Sequence, residues 1–134
     1  MEPDSYQPGN IIYTDKYSLK TTDGVTAAII AGHPTKPGYN DADRENSRFQ
    51  YVTGFIGITT TILIAVDRNN HCLRGIHRDT GLTTTFSGVC TSSGYQDGKQ
   101  AKFYYPASTI RDNQNRKQLL VTEEYNNAIR TVSI

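Results

Sequence analysis

The sequence predicts an all-β fold assembled from copies of one short unit, and two observations carry this prediction. Segments rich in Ile, Val, Thr and Tyr alternate with turn residues, and no segment sustains a 3.6-residue apolar period. Two blocks of sequence also recur along the chain, 51 to 57 residues apart. Four short strands in a unit of roughly fifty residues are typical of β-propeller blades. The 134 residues therefore predict a partial β-propeller of about two and a half four-stranded blades.

Ten segments have the composition expected of strands. Turn sequences such as Thr22-Asp23-Gly24 and Asp79-Thr80-Gly81 separate them. The predicted strands are residues 10–14, 18–21, 25–30, 54–59, 61–66, 71–76, 82–87, 107–111, 118–122 and 127–133.

These strands group into blades joined by long linkers. Residues 1–9 form an N-terminal extension in this reading, and no blade has all four of its strands except the middle one. The predicted order is an incomplete blade at 10–31, a linker at 32–53, a complete blade at 54–88, a linker at 89–106 and an incomplete blade at 107–134.

The first recurring block lies in the two linkers. Gly38-Tyr39-Asn40-Asp41 returns as Gly94-Tyr95-Gln96-Asp97, each six residues after the glycine that ends a strand-like run. Arg48-Phe49-Gln50-Tyr51 returns as Lys102-Phe103-Tyr104-Tyr105, so the first copy carries two extra residues. The recurrence indicates that both linkers adopt the same conformation.

The second recurring block spans two strands and the turn between them. An apolar run ends in an acid, a polar turn follows, and then an apolar residue precedes a cation. The three copies are 11–20, 62–74 and 119–130. Their acids are Asp15, Asp67 and Glu123, and their cations are Lys20, Arg74 and Arg130.

The two recurring blocks, in their order along the chain, resemble NHL repeats. The matching residues are the strand that ends in an acid, the Asn-Asn turn before Leu73-Arg74 or Ile129-Arg130, and the Gly-x(5)-Gly-Tyr-x-Asp linker. The resemblance implies a β-propeller, usually of six blades, that mostly binds other molecules. This chain is too short to close such a ring alone, since propellers need roughly four to eight blades. The expected partners are therefore other copies of itself or the rest of a longer chain.

The repeated charged residues are expected to be structural. A carboxylate at the end of a strand can accept hydrogen bonds from the N–H groups of the following turn. Metal binding or acid–base chemistry is the alternative role for these acids, but each occupies the same place in its repeat. We expect the cations to pair with carboxylates and the linker acids Asp41 and Asp97 to fix their turns.

Cys72 and Cys90 flank a predicted hairpin that turns near residue 80. Folding there brings positions 72 and 88–90 side by side, which permits a disulfide, while free buried thiols stay open as the alternative. Extracellular NHL proteins look similar at these positions, so the resemblance favours a disulfide. A disulfide implies an oxidising compartment, and we therefore expect an extracellular protein, either secreted or on the cell surface.

Five tyrosines lie in or beside the linkers. Packing between blades is one role for them, and contact with a protein or glycan partner is the other, since a ring with a hydroxyl suits both. The candidate partner-binding residues are Tyr39, Tyr51, Tyr95, Tyr104 and Tyr105.

The bulk composition disfavours several classes of partner. The formal net charge is +1, which gives no electrostatic argument for nucleic acid or an anionic membrane. No apolar run approaches the roughly 20 residues that a membrane span requires. His33, His71 and His77 share no repeat position, so we expect no metal site, no catalytic residues and no cofactor.

The favoured function is an extracellular structural or recognition module that is not an enzyme. The alternative is a metal-dependent propeller enzyme, amidating-lyase-like or lactonase-like, with zinc or calcium at a channel near Gly57–Thr60 and Ser108–Asp112. A third reading is an intracellular RNA-binding NHL domain, which the near-neutral charge and the expected disulfide disfavour.

Overall fold

The computed structural model describes residues 1–98 and 100–134, and they form eleven strands in three antiparallel sheets. Each sheet is a meander in which neighbours in sequence are neighbours in space. The first sheet contains β1 (Glu2–Pro3), β2 (Ile11–Asp15), β3 (Ser18–Thr22) and β4 (Ala27–Gly32). The second contains β5 (Val52–Gly57), β6 (Ile62–Asp67), β7 (Cys72–His77) and β8 (Thr83–Ser87). The third contains β9 (Pro106–Arg111), β10 (Gln118–Glu123) and β11 (Ala128–Ser133).

The all-β, partial β-propeller prediction is confirmed, and the three sheets are its blades. All ten predicted strands are present, with ends shifted by at most two residues. β5 starts two residues earlier than predicted, at Val52, whose N–H donates to the carbonyl of Lys16 in the first blade, 2.7 Å away.

The first blade differs from the sequence-based expectation because residues 1–9 do not all lie outside it. Glu2 pairs with Ile12 and Pro3 pairs with Ile11, which adds a two-residue strand to the sheet. Glu2 and Pro3 are neither β-branched nor aromatic, so their residue types do not predict a strand. Its position is fixed instead by Asp4, which is buried against Arg78 of the second blade.

Two apolar cores hold the blades together, one at each blade boundary. In β6, Leu63 and Ala65 belong to the core shared with the first blade, while Ile64 and Val66 belong to the core shared with the third. This explains why β6 is apolar at consecutive positions, since both of its faces are buried.

The chain direction sorts the loops onto two faces. The linkers and the turns at 16–17, 68–71 and 124–127 lie at one end of the strands, which we call the linker face. The remaining hairpins lie at the opposite end, the hairpin face. Short 3-10 helices occur at Arg44–Asn46 in the first linker and Arg68–Asn70 in a linker-face turn.

Two repeated glycines permit the close contact between strand end and linker. Gly32 and Gly88 have φ of 89° and 94°, a conformation that L side chains rarely adopt. A β-carbon at Gly32 would lie 2.9 Å from the Phe49 ring, and one at Gly88 would lie 2.9 Å from the Phe103 ring. The linker phenylalanine therefore packs directly over the glycine in both copies.

Candidate binding site

The repeated acid and cation form a buried ion pair that we call the arginine clamp. In the first clamp, Nη1 of Arg74 lies 2.9 Å from Oδ2 of Asp67, and both side chains are fully buried. Oδ1 of Asp67 accepts hydrogen bonds from the N–H groups of Gln50 and Tyr51 in the first linker. The amide of Asn70 donates to Oδ2 of Asp67 at 2.7 Å, so the carboxylate meets four donors.

Arg74 also forms hydrogen bonds and an ion pair with the linker. Its guanidinium donates to the carbonyls of Arg48 and Asn40, and Nη2 lies 2.7 Å from Oδ1 of Asp41. The rings of Tyr39 and Phe49 each lie with their centroids 4.8 Å from the guanidinium carbon. This side chain therefore fastens linker residues 38–51 to the blade that follows them.

The same geometry recurs one repeat later in the second clamp. Arg130 pairs with Glu123 at 3.0 Å and with Asp97 at 2.7 Å. Its Nη groups donate to the carbonyls of Gln96 and Lys102, the counterparts of Asn40 and Arg48. Tyr95 and Phe103 flank its guanidinium as Tyr39 and Phe49 flank that of Arg74.

Burial of the first clamp affects the titration of its acid. Burial raises the pKa of Asp67, while hydrogen bonds from Asn70 and the linker N–H groups and the charge of Arg74 act in the opposite direction. Because every neighbour of this carboxylate is a donor, only the ionised form satisfies all four contacts.

The first repeat carries a simpler version of the clamp. Lys20 pairs with Asp15 at 2.6 Å, and both side chains are partly exposed. The linker-face turn is two residues shorter here, at 16–17, so no asparagine occupies the place of Asn70 or Asn126. The three repeated acids thus differ in burial although the sequence places them alike.

The five candidate tyrosines lie in three different places. Tyr39 and Tyr95 lie over the clamp arginines and are 42% and 61% exposed. Tyr104 and Tyr105 instead join His71 and Tyr125 on the linker face at the boundary of the second and third blades, and we call these four residues the tyrosine cluster. Tyr51, at the repeat position of Tyr105, lies half exposed at the other blade boundary.

The tyrosine cluster is tightly packed at its base and open at its rim. Ring centroids of Tyr105 and Tyr125 are 4.6 Å apart, and those of Tyr104 and Tyr105 are 5.5 Å apart. Tyr125 is 57% exposed. Arg68 stacks on Tyr105 at 4.6 Å and pairs with Glu124, which sets charged groups beside the rings.

His71 anchors this cluster to the backbone. Its Nδ1 accepts a hydrogen bond from the N–H of Tyr105 at 3.0 Å, and both residues have left-handed φ angles, 59° and 49°. The contact requires an unprotonated Nδ1. Burial, followed by the charge of Arg68, lowers the pKa of His71, which favours that neutral ring.

A disulfide joins Cys72 and Cys90, as predicted. It ties the start of β7 to the start of the second linker, directly beside His71. The disulfide suggests a non-cytoplasmic environment. No helix in the described part of the chain is long and apolar enough to cross a membrane.

The histidines do not converge with acids into a metal centre. Within residues 1–98 and 100–134, no group of three or more His, Cys, Asp or Glu side chains is placed to hold a metal ion. His33 lies in the first linker, where its Nδ1 accepts from the N–H of Thr35, and His77 ends β7 with its side chain exposed.

Several contributors to these sites were missed at the sequence level. Asn70 and Asn126 complete the clamps and were visible as the repeated Asn-Asn turn. Tyr125 belongs to the cluster and Arg68 stacks on it, but neither residue type repeats at its position, so no pattern marked them. The buried pair of Asp4 with Arg78, at 2.6 Å, has no counterpart in the repeat either.

Comparison with solved structures supports the propeller fold. A structural genomics protein of unknown function from Bacteroides thetaiotaomicron matches 92% of this chain with a TM-score of 0.81 and 22% identity, over 32% of its own length. Auxiliary nutrient binding proteins from Bacteroides thetaiotaomicron and Bacteroides ovatus each match 91% of the chain with TM-scores of 0.75, at 22% and 24% identity, over 33% of their own lengths. A further similar structure from Bacteroides thetaiotaomicron is named as a phosphatase candidate.

The other two comparisons found nothing similar: no protein-family profile and no curated protein matches the sequence. At these identities the likeness shows the fold and not the activity. The chain spans about a third of the length of the solved structures that it matches. It therefore has the fold of one section of a larger β-propeller-like chain.

Proposed function

We propose that this chain is an extracellular recognition module of NHL type, and that the tyrosine cluster is its ligand-contacting surface. The observation that carries the proposal is the placement of Tyr104, Tyr105 and Tyr125 together at the rim of the linker face, with Arg68 and Glu124 beside them. Exposed Tyr and Arg are enriched where proteins bind partners.

The favoured ligand is a glycan chain. Tyrosine offers an apolar ring face to the C–H groups of a sugar and a hydroxyl to its polar groups. The charged pair of Arg68 and Glu124 adds a donor and an acceptor at the same rim. Two of the similar structures are named as auxiliary nutrient binding proteins, which agrees with a binding role.

The architecture supports binding by a preformed surface. The disulfide and the second clamp hold the linker that carries Tyr104 and Tyr105, and the His71 contact fixes the backbone of Tyr105. A rigid surface loses less conformational entropy when a ligand binds.

The test is affinity electrophoresis against a panel of soluble polysaccharides. We expect at least one polysaccharide to retard the chain, and the pair of substitutions Tyr104→Ala and Tyr125→Ala to weaken that binding about tenfold or more. Tyr51→Ala is the matched control, since Tyr51 occupies the repeat position of Tyr105 outside the cluster, and it should bind normally. If the double variant is still retarded, the tyrosine cluster is not the binding surface. If the chain binds protein partners and no polysaccharide, the ligand is not a glycan.

We also propose that further blades flank this chain, supplied by other copies or by the rest of a longer chain. Ile129 occupies the repeat position of Leu73, yet Ile129 is 70% exposed whereas Leu73 is fully buried against Leu119 and Val121. Ile110 on the same face is 59% exposed. An apolar sheet face of this kind favours burial by another blade.

Sedimentation velocity tests this second part. The 134-residue chain should self-associate with increasing concentration, and Ile110→Lys with Ile129→Lys should suppress the association. A chain that stays monomeric at all concentrations would contradict the supply of these blades by other copies.

A further inference from the structure

The backbone N–H of Tyr105 has a different acceptor from its repeat counterpart. In the first linker, the N–H of Tyr51 donates to the clamp acid Asp67 at 3.2 Å. In the second linker, the N–H of Tyr105 donates to Nδ1 of His71 at 3.0 Å instead of to the clamp acid Glu123. The same N–H group of the repeat therefore has two alternative acceptors, and each arrangement is present in this molecule.

The backbone conformation of Tyr105 differs accordingly. Its φ of 49° lies in the left-handed region, which is strained for a residue with a β-carbon, whereas Tyr51 does not have a positive φ. Strain of this kind persists only where surrounding contacts hold it. At Tyr105 these contacts are the hydrogen bond to His71 and the stacking of Arg68 on the ring. Loss of the hydrogen bond therefore favours the relaxed arrangement that Tyr51 adopts.

The second clamp acid has capacity for this N–H group. Asp67 accepts four hydrogen bonds, whereas Glu123 accepts three within the described part of the chain. The donors to Glu123 are Tyr104, Asn126 and Arg130. An ionised carboxylate has about four lone-pair sites, so one more donor can bond to Glu123. The N–H of Tyr105 is one residue along the chain from a group that already does.

Protonation of His71 removes the acceptor that Tyr105 uses. A neutral imidazole has one nitrogen that accepts, whereas both nitrogens of the protonated ring are donors. We propose that His71 is a pH-sensitive switch of the tyrosine cluster. While its ring is neutral, Tyr105 stays in the cluster; when the ring is protonated, the N–H of Tyr105 turns to Glu123 and the tyrosine ring leaves Arg68. Ligand binding by the cluster should then weaken in acid, a consequence that rests on the function proposed above.

The groups around His71 set the pH range of the switch. Burial and then the charge of Arg68 lower the pKa of His71, while the charge of Asp67 acts in the opposite direction. The titratable groups that the second linker and the third-blade turn place around His71 and Arg68 are Tyr104, Tyr105, Glu124 and Tyr125. The neutral ring and its hydrogen bond are therefore present above the ordinary histidine pKa of about 6.5 and are lost as the pH falls below it.

NMR of the isotope-labelled chain between about pH 8 and about pH 5 tests the switch. We expect the backbone amide of Tyr105 to shift with the same midpoint as the ring of His71. The amide of Tyr51 should not follow that midpoint, because it reports on Asp67, whose pKa burial raises. A Tyr105 amide that does not follow His71, or that shifts only together with Tyr51, would overturn the proposal.

His71→Asn separates the titration of this side chain from its position. The amide oxygen of asparagine can accept the same hydrogen bond and does not titrate in this range. Asparagine also tolerates a left-handed φ, as Asn127 shows at the same repeat position with a φ of 48°. In this variant the Tyr105 amide should become independent of pH. His77→Asn is the matched control, since His77 is exposed at the far end of β7, and it should keep the native response.

A pH response of Tyr105 that survives in His71→Asn would assign the titration to another group and would overturn the switch. The effect on the ligand is measured with a neutral polysaccharide that retards the native chain. The native chain should bind it about three- to tenfold more weakly at about pH 5 than at about pH 7, as expected for loss of one hydrogen bond, and His71→Asn should bind equally at both.

The two measurements fail in different ways. Unchanged binding over a pH range in which the Tyr105 amide shifts would overturn the control of binding by His71 while leaving the glycan surface in place. If no polysaccharide binds at any pH, the function proposed above is wrong, and the Tyr105 amide still decides whether His71 controls the cluster.

Discussion

Arg74 and Asp67 pair inside the second blade at 2.9 Å, and both also bond to the linker that precedes that blade. Arg74 therefore reaches linker residues that lie 26 to 34 positions earlier in sequence. Removing one partner of a buried ion pair leaves an uncompensated charge, which is costly.

Arg74→Met should accordingly lower the free energy of unfolding by about 3 to 5 kcal/mol. Lys20→Met is the matched control, because its pair with Asp15 is partly exposed and should contribute about 0 to 1 kcal/mol. Urea denaturation of both variants measures the difference. Equal losses in the two variants would show that burial of the clamp does not set its contribution.

The disulfide should stabilise the fold mainly by restricting the unfolded chain. Cys72 and Cys90 are 18 residues apart, and closing a loop of that length contributes about 3 kcal/mol in the chain-entropy treatment. Replacing both residues with Ala should lower the unfolding free energy by about this amount, again in urea. The intact mass of the native chain under non-reducing conditions checks whether Cys72 and Cys90 are bonded. A mass that corresponds to two free thiols would contradict the structure.

Gly88 should be far less tolerant of substitution than Gly24. Both have φ near 95°, so alanine costs about 1 to 2 kcal/mol at either position from the backbone alone. A β-carbon at Gly88 would also meet Phe103 at 2.9 Å and the carbonyl oxygen of His71 at 3.0 Å, whereas Gly24 has open space around it. Thermal denaturation should show Gly88→Ala losing about 1 to 3 kcal/mol more than Gly24→Ala. A smaller loss at Gly88 would mean that the phenylalanine does not pack there.

Acid should weaken the contact of Asp4 with Arg78. Burial acts to raise the pKa of Asp4, but hydrogen bonds from Arg78 and Thr21 and the charge of Arg78 together lower it. A carboxyl with a lowered pKa contributes stability above its unfolded pKa of about 3.9, and that contribution is lost as the pH falls through the folded pKa. Unfolding free energy should therefore drop more steeply below pH ~4 in the native chain than in Asp4→Asn. Parallel pH profiles of the two proteins would contradict this coupling.

Repetition explains how much of this structure the sequence could predict. Strand composition and turn residues located ten strands, and the shared position of Asp67 and Glu123 identified the clamp acids before any contact was known. What repetition could not reveal is which segment each clamp holds, since Arg74 and Asp41 are 33 residues apart in sequence. Their contact depends on how the linker folds back over the following blade.

The least predictable features are those that occur once. The Asp4–Arg78 pair joins segments 74 residues apart, and β1 pairs with β2, both without any repeated motif. Tyr125 joins Tyr104 and Tyr105 only because a linker-face turn lies beside a linker at the blade boundary. Such contacts depend on tertiary packing, and residue type alone does not signal them.

Each clamp arginine holds one linker on the blade that follows it. Arg130→Met should release only the second linker, where bonded amides would lose their protection from hydrogen exchange. These amides are those of Gly94, Gln96, Lys102 and Tyr104.

Amide hydrogen exchange followed by NMR in the native and Arg130→Met chains is the most direct measurement. We expect faster exchange at those four amides and unchanged exchange at their first-linker counterparts, Gly38, Asn40, Arg48 and Gln50. Equally faster amide exchange in both linkers, or unchanged exchange in the second linker, would contradict the assignment of Arg130 to the second linker alone.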